Sequence, residues 1–172
     1  NMHEHFYQDN LVRPLSDFDI LIDKKNLCEL IEICKRYDFD TALWDSIEIN
    51  DLEIYKNPTL THKNELAQID IHTELKTSIF ADLPSYKKFG QHLLENAKIN
   101  KSNICTKEDT FLHCLIHGTL QGNYNVGPIF ILDLINIIKS DDIDWDLVNK
   151  KVNEFKINKE FNEVMFYLSS SM

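Results

Sequence analysis

From Asp17 to Ile22 the chain places Asp17 and Asp19 on one side of an extended backbone and Phe18, Ile20 and Ile22 on the other, because alternate side chains of a strand share a face. The spacing predicts a strand over 17–22 with an apolar face turned to a core. Asp23 suits a helix N-cap, and Leu27, Leu30, Ile31 and Cys34 then recur at helical spacing, which predicts a helix to about Tyr37. Before this strand, residues 2–12 have no clean period and read as an extended or partly helical lead-in, and Pro14 biases Arg13 away from helix. Residues 39–56 mix Phe39, Leu43, Trp44, Ile47, Ile49, Leu52, Ile54 and Tyr55 with turn formers at Asn50 and Asp51, a pattern read as one or two strands and a turn.

Alternation returns over 66–75, with Ala67, Ile69 and Ile71 on one face and Gln68, Asp70 and His72 on the other. Two such strands side by side would bring Asp70 near Asp17 and Asp19. After Pro84 the strand pattern stops. Tyr86, Phe89, Leu93 and Leu94 mark one helix; Thr106-Lys-Glu-Asp109 resembles a capping box opening another through Phe111, Leu112, Leu115 and Ile116, loosened at its end by Gly118 and Gly122. Pro128 suits the first position of a helix over 129–138, Asp144 can cap one containing Trp145, Leu147, Val148 and Val152, and a last helix runs from about Lys159 to Leu168. Strands in front and helices behind predict an α+β fold. Its expected form is a small mixed sheet with packed helices over 1–83 and a C-terminal helical lobe over 84–172.

Composition narrows the partners. The 172 residues carry 18 basic and 28 acidic side chains, a net charge of -10, and only Arg13 and Arg36 are arginines. Long nucleic acid is excluded as a partner on that balance, since phosphate neutralisation needs a basic surface. A nucleotide is not excluded, because magnesium can neutralise both a triphosphate and the carboxylates that hold it. No apolar run approaches a membrane span and no signal pattern opens the chain, so a cytoplasmic protein without a membrane partner is expected. The four cysteines form no C-x-x-C pair and read as reduced, mostly buried thiols. Asn1 before Met2 reads either as a remnant of tag removal, with Met2 as the natural start, or as part of a fragment whose missing part lies upstream.

Chemistry concentrates on the first strand. Two carboxylates about 5 Å apart repel by roughly 3 kcal/mol at an effective dielectric near 20, so a partly enclosed pair needs a proton, a cation or a divalent metal. Open water removes most of that cost, and D-x-D spacing alone also fits a solvated edge strand. His113 and His117, at i and i+4, share a helical face, but H-E-x-x-H is absent because Cys114 holds the Glu place; packing is the expected role. Asp133 sits inside an apolar helix and needs a partner if buried, as at a neighbouring helix N-terminus. Glycine-rich phosphate loops and the G-x-S-x-G elbow are missing.

Taken together, Arg13-Pro-Leu-Ser-Asp-Phe-Asp-Ile-Leu-Ile, Ile69-Asp-Ile-His-Thr-Glu-Leu, His113-Cys-Leu-Ile-His-Gly and Leu132-Asp-Leu followed by Asp144-Trp145 resemble the uncharacterised nucleotidyltransferase family of the DNA polymerase beta-like superfamily. The resemblance covers roughly residues 6–155. It implies metal-dependent transfer of a nucleotidyl group from an NTP to an unknown hydroxyl on a small molecule, protein or RNA end. It implies that Asp17 and Asp19 hold Mg2+ (or Mn2+) against the phosphates and that Asp70 completes a second metal site and helps deprotonate the attacking hydroxyl. Arg13 and Ser16 would lie against the nucleotide. One departure matters: the superfamily's Gly-Ser or Gly-Gly turn before the D-x-D strand has no counterpart, since no glycine precedes Gly90. The expectations that follow are an N-terminally shortened sheet, weak NTP binding, and a bare sheet edge that would favour pairing with a second copy. A degenerate, non-catalytic protein-binding module is the competing reading.

Overall fold

The computed structural model describes residues 18–46, 57–64, 66–75, 84–100, 105–122, 124, 127, 129–140 and 143–171. They fall into two compact units, one ending at Leu75 and the other holding everything described from Pro84 onward. Within them the chain is mixed α+β, with a three-stranded sheet in the first unit and helices throughout the second. That architecture is consistent with a nucleotidyltransferase-like fold.

In the first unit, β1 (Phe18–Leu21) runs parallel to β3 (Gln68–His72), and β2 (Leu60–Thr61) pairs antiparallel with β3, giving the order β1-β3-β2. A 3-10 turn at Lys24–Asn26 leads into α1 (Leu27–Arg36). The Asp23 side chain makes no cap hydrogen bond there. The apolar stripe read from the sequence does its expected work: Leu27, Ile31 and Cys34 of α1 are buried together with Leu60, Ile71 and Trp44, and Ile22, Leu30, Phe39 and Ile69 pack against them. Phe18 is different. Although on the expected apolar face, it is 55% exposed, because the core gathers around β3 and Ile22, just past the end of β1.

The strand expected after residue 39 is also corrected. Phe39 makes only an isolated bridge to His62, and Ala42–Asp45 form a short helix, α2. Asp40 Oδ1 accepts from the Ala42 N–H, the local side-chain bond by which Asp competes with extended structure. Burial of Trp44, whose Nε1–H donates to the Pro58 carbonyl at 3.0 Å, then holds this turn to the sheet. Residues 47–56, where further strand was expected, lie outside the described residues, as do residues 2–12.

The second unit comprises α3 (Pro84–Asn100), α4 (Lys107–Ile116), α5 (Ile129–Ile138), α6 (Trp145–Phe155) and α7 (Asn158–Ser171). The two predicted caps form. Thr106 Oγ1 accepts from the Asp109 N–H at 3.2 Å, and Asp144 Oδ1 from the Leu147 N–H at 2.9 Å, each supplying an acceptor to a helix donor that has no partner within the helix. Glu108 links the two helix starts, its Oε1 accepting from the Asp144 N–H. With Phe111, Leu112, Cys114, Leu115 and Ile116 all buried, α4 is the core helix of this unit.

The second half of the expected capping box is used otherwise. The Asp109 carboxylate is 1% exposed and meets Lys151 Nζ of α6 at 2.6 Å and His92 Nε2 of α3 at 3.0 Å, while Asn96 Nδ2 donates to its other oxygen at 3.1 Å. Burial alone would raise this carboxyl, but the hydrogen bond and charge of Lys151, aided by His92, outweigh it and hold Asp109 below the ordinary carboxylate range. The His92 ring stacks on Phe89 and meets Phe155 edge-on, so three helices are pinned at one polar point set in aromatic packing.

Gly118 does not end α4. The chain continues through a π-helical turn over His117–Gln121, closed by the Gly122 N–H to the His117 carbonyl at 2.8 Å. A Cβ at Gly118 would lie 2.2 Å from Phe130 Cδ2 and 2.5 Å from Cγ. The glycine therefore lies where the α-helix loosens into the π-turn, as expected, and also permits the close approach of Phe130 of α5. Gly118→Ala is expected to destabilise by about 1–3 kcal/mol through overpacking, read as a lower urea midpoint with an unchanged slope; an unchanged midpoint would show that Phe130 can move aside without cost.

Candidate functional site

The polar face of the sheet is built by register. Asp19 stands opposite Asp70 across the parallel pair, and Leu21 opposite His72, so side chains at 19, 68, 70 and 72 share the side away from Ile69 and Ile71. Paired strands lie roughly 4.8 Å apart, which makes the two aspartates direct cross-strand neighbours. Each has a donor. His72 Nε2 lies 2.9 Å from Asp19 Oδ1, reaching diagonally from two positions beyond Asp70, and Thr59 Oγ1, just before β2, donates to Asp70 Oδ1. Asn57 ties the same segment to β3 through Nδ2 and the Ile71 carbonyl at 2.7 Å. The Asp19 side chain is 63% exposed, whereas Asp70 is half-buried, so the pair opens to solvent on the Asp19 side.

Of the residues singled out in the sequence, Asp19 and Asp70 are brought together; Asp17, Arg13 and Ser16 lie outside the described residues. Among the described residues no three His, Cys, Asp or Glu side chains form a group able to hold a metal. The donors that do meet are two carboxylates, the oxygen chemistry that suits magnesium, and a third carboxylate, Asp17, stands two positions before Asp19 in the sequence. That donor set fits the ion the family resemblance implies. His72 and Thr59 were not assigned to the site from sequence. The alternation placed His72 on the right face, but only the parallel register shows that it reaches Asp19.

The histidine pair and Asp133 occupy the helical unit. His113 and His117 have ring centroids 6.1 Å apart, as their i, i+4 spacing implies. Asp133 is buried in α5. Cys34 and Cys114 are buried, while Cys28 and Cys105 are exposed, so the expectation of mostly buried thiols holds for only two of the four; none forms a disulfide. Burial pushes the Cys34 thiol up, away from nucleophilic use. Among the described residues no helix is long and apolar enough to cross a membrane.

A family model described as an uncharacterised nucleotidyltransferase matches residues 2–171, nearly the whole chain. No curated protein and no solved structure matched it.

Proposed function

The chain belongs to the uncharacterised nucleotidyltransferase family, and on that premise we propose that it transfers a nucleotidyl group from an NTP to a hydroxyl acceptor at the polar face of the sheet. Membership supports nucleotidyl transfer in general. The observation that carries the finer reading is the register of Asp19 opposite Asp70 on the side of the sheet away from its core. With Asp17 they would hold divalent magnesium or manganese, which when bound neutralises phosphate charge and stabilises the entering and departing oxygens.

The chain's own residues do the rest. Asp70, half-buried beside Thr59, takes the proton of the attacking hydroxyl. The hydroxyl oxygen then bonds to the α-phosphorus, the bond to the β-phosphate oxygen breaks, and pyrophosphate leaves with that electron pair. Asp19, the more exposed partner, faces the phosphates. An acidic chain with two arginines suits an acceptor that is a small molecule or a chain end over a long polyanion.

Manganese gives the direct test. A ligand that binds only the folded state stabilises it by about 2.7 kcal/mol at a hundred times its dissociation constant. The expected result is a rise in melting temperature with added manganese that disappears in Asp19→Asn, together with release of pyrophosphate from one or more of the four NTPs. Equal shifts in wild type and variant would place the ion elsewhere. No shift in either would favour the non-catalytic, protein-binding module.

A further inference from the structure

Two carboxylates in direct cross-strand register repel each other and, left alone, would rotate apart into water; here each is held by a hydrogen-bond donor. His72 Nε2 stands 2.9 Å from Asp19 Oδ1, and Thr59 Oγ1 donates to Asp70 Oδ1. The two donors come from different places, one from β3 itself and one from the segment before β2. His72 is fixed in turn from the β1 side, since Ile22, the residue after β1, donates its N–H to the His72 carbonyl at 2.9 Å and continues the parallel ladder. A shift of β3 against β1 would therefore move Asp70 and the imidazole that holds Asp19 together.

We propose that His72 and Thr59 are positioning residues of the nucleotidyl-transfer site, His72 for Asp19 and Thr59 for Asp70, each fixing the rotamer of a carboxylate so that the pair meets a divalent cation already aligned. This inference rests on the reading of Asp19 and Asp70 as metal ligands. The physical reason is pre-organisation. A carboxylate locked by a donor loses less rotamer freedom when a cation arrives, and a partial positive charge beside each group offsets the repulsion that would otherwise splay the pair before binding. Partners of this kind typically change metal affinity 10- to 100-fold on removal.

The experiment uses the full chain and manganese alone, with free Mn2+ counted by electron paramagnetic resonance. His72→Ala and Thr59→Val are each expected to weaken manganese binding about 10- to 100-fold. His72→Gln, whose side-chain amide keeps a donor, should recover most of the loss, and so should Thr59→Ser. Independently of metal, 15N spectra of the metal-free protein should show His72 with its proton on Nε2, and its signals should shift in Asp19→Asn. Binding lost in Asp19→Asn but unchanged in His72→Ala and Thr59→Val would overturn this inference and leave the metal site standing. Binding unchanged in Asp19→Asn, or absent from the wild type, would overturn the metal reading and this inference with it. A His72→Gln variant no better than His72→Ala would show that the imidazole does something other than donate to Asp19.

Discussion

Replacing Asp109 by alanine is expected to cost about 3–5 kcal/mol, the range found when one partner of a buried ion pair is removed and the other is left uncompensated. Lys151 is the reason. Its ammonium sits 2.6 Å from the Asp109 carboxylate with 9% of its side chain exposed, so it would be left as a buried charge without its carboxylate. In a domain of this size such a loss corresponds to a fall of roughly 10 °C in melting temperature. Lys151→Met should cost less, because Asp109 keeps His92 and Asn96. The double variant should be more stable than the sum of the singles predicts, since the two groups share one interaction.

The same residue sets an acid limit. Its carboxyl titrates lower in the folded state than in the unfolded chain. The stability it contributes is therefore fully present above the unfolded pKa, near 3.9, and is lost as pH falls through the lower folded value. Urea titrations at several pH values check both points: the stability of Asp109→Asn should fall less steeply in acid than that of the wild type. A loss under about 1 kcal/mol for Asp109→Ala would mean that water reaches Lys151 readily and that the pair is worth no more than a surface contact.

This network also shows where sequence reading stops. Thr106-Lys-Glu-Asp109 was legible as a helix start because caps are local, and the Thr106 half forms. The fate of the Asp109 carboxylate was not legible, because its partners lie 13 and 17 positions before it and 42 after it and none of these intervals has a periodicity that joins them. The second role of Gly118 was hidden for a related reason: nothing near it in sequence announces that the Phe130 ring lies against it. Residues 39–46 failed differently. Their apolar content resembled a strand, but the Asp40 side chain bonding to Ala42 and the reach of the Trp44 indole to Pro58 decided for a helical turn.

The sheet was more open to reading. Period-two alternation fixes which side chains share a face whatever the neighbouring strand does, so the sequence alone places Asp19, Asp70 and His72 on a polar face. What alternation cannot supply is the strand direction and offset. Parallel pairing with Asp19 opposite Asp70 turns a list of polar residues into two adjacent carboxylates, and it puts His72, two positions further on, within hydrogen-bond reach of the first.

That register makes Asp70→Asn the most informative change in the chain, because stability and chemistry should move in opposite directions. Asn keeps the shape of Asp70 and keeps an oxygen to accept from Thr59, so the packing of β3 is undisturbed. It removes one of two like charges that stand directly opposite. Their Coulomb repulsion would be roughly 3 kcal/mol at an effective dielectric of 20, but Asp19 is 63% exposed, and water reduces the relief to the few tenths to about 1 kcal/mol measured for cross-strand pairs. The metal-free variant should therefore be as stable as the wild type or slightly more so. On the proposed mechanism nucleotidyl transfer should fall at least about a thousandfold, roughly 4 kcal/mol in barrier, because the variant would lose the proposed proton acceptor, typically worth 10²- to 10⁴-fold, and a proposed ligand for the cation at once. Both quantities can be read on one preparation, by urea denaturation without metal and by pyrophosphate release with manganese and NTP. Transfer kept within tenfold of the wild type would remove Asp70 from the chemistry. A loss of more than about 2 kcal/mol of metal-free stability would instead show that the carboxylate holds the sheet together, and that the repulsion inferred from the register is already cancelled by its neighbours.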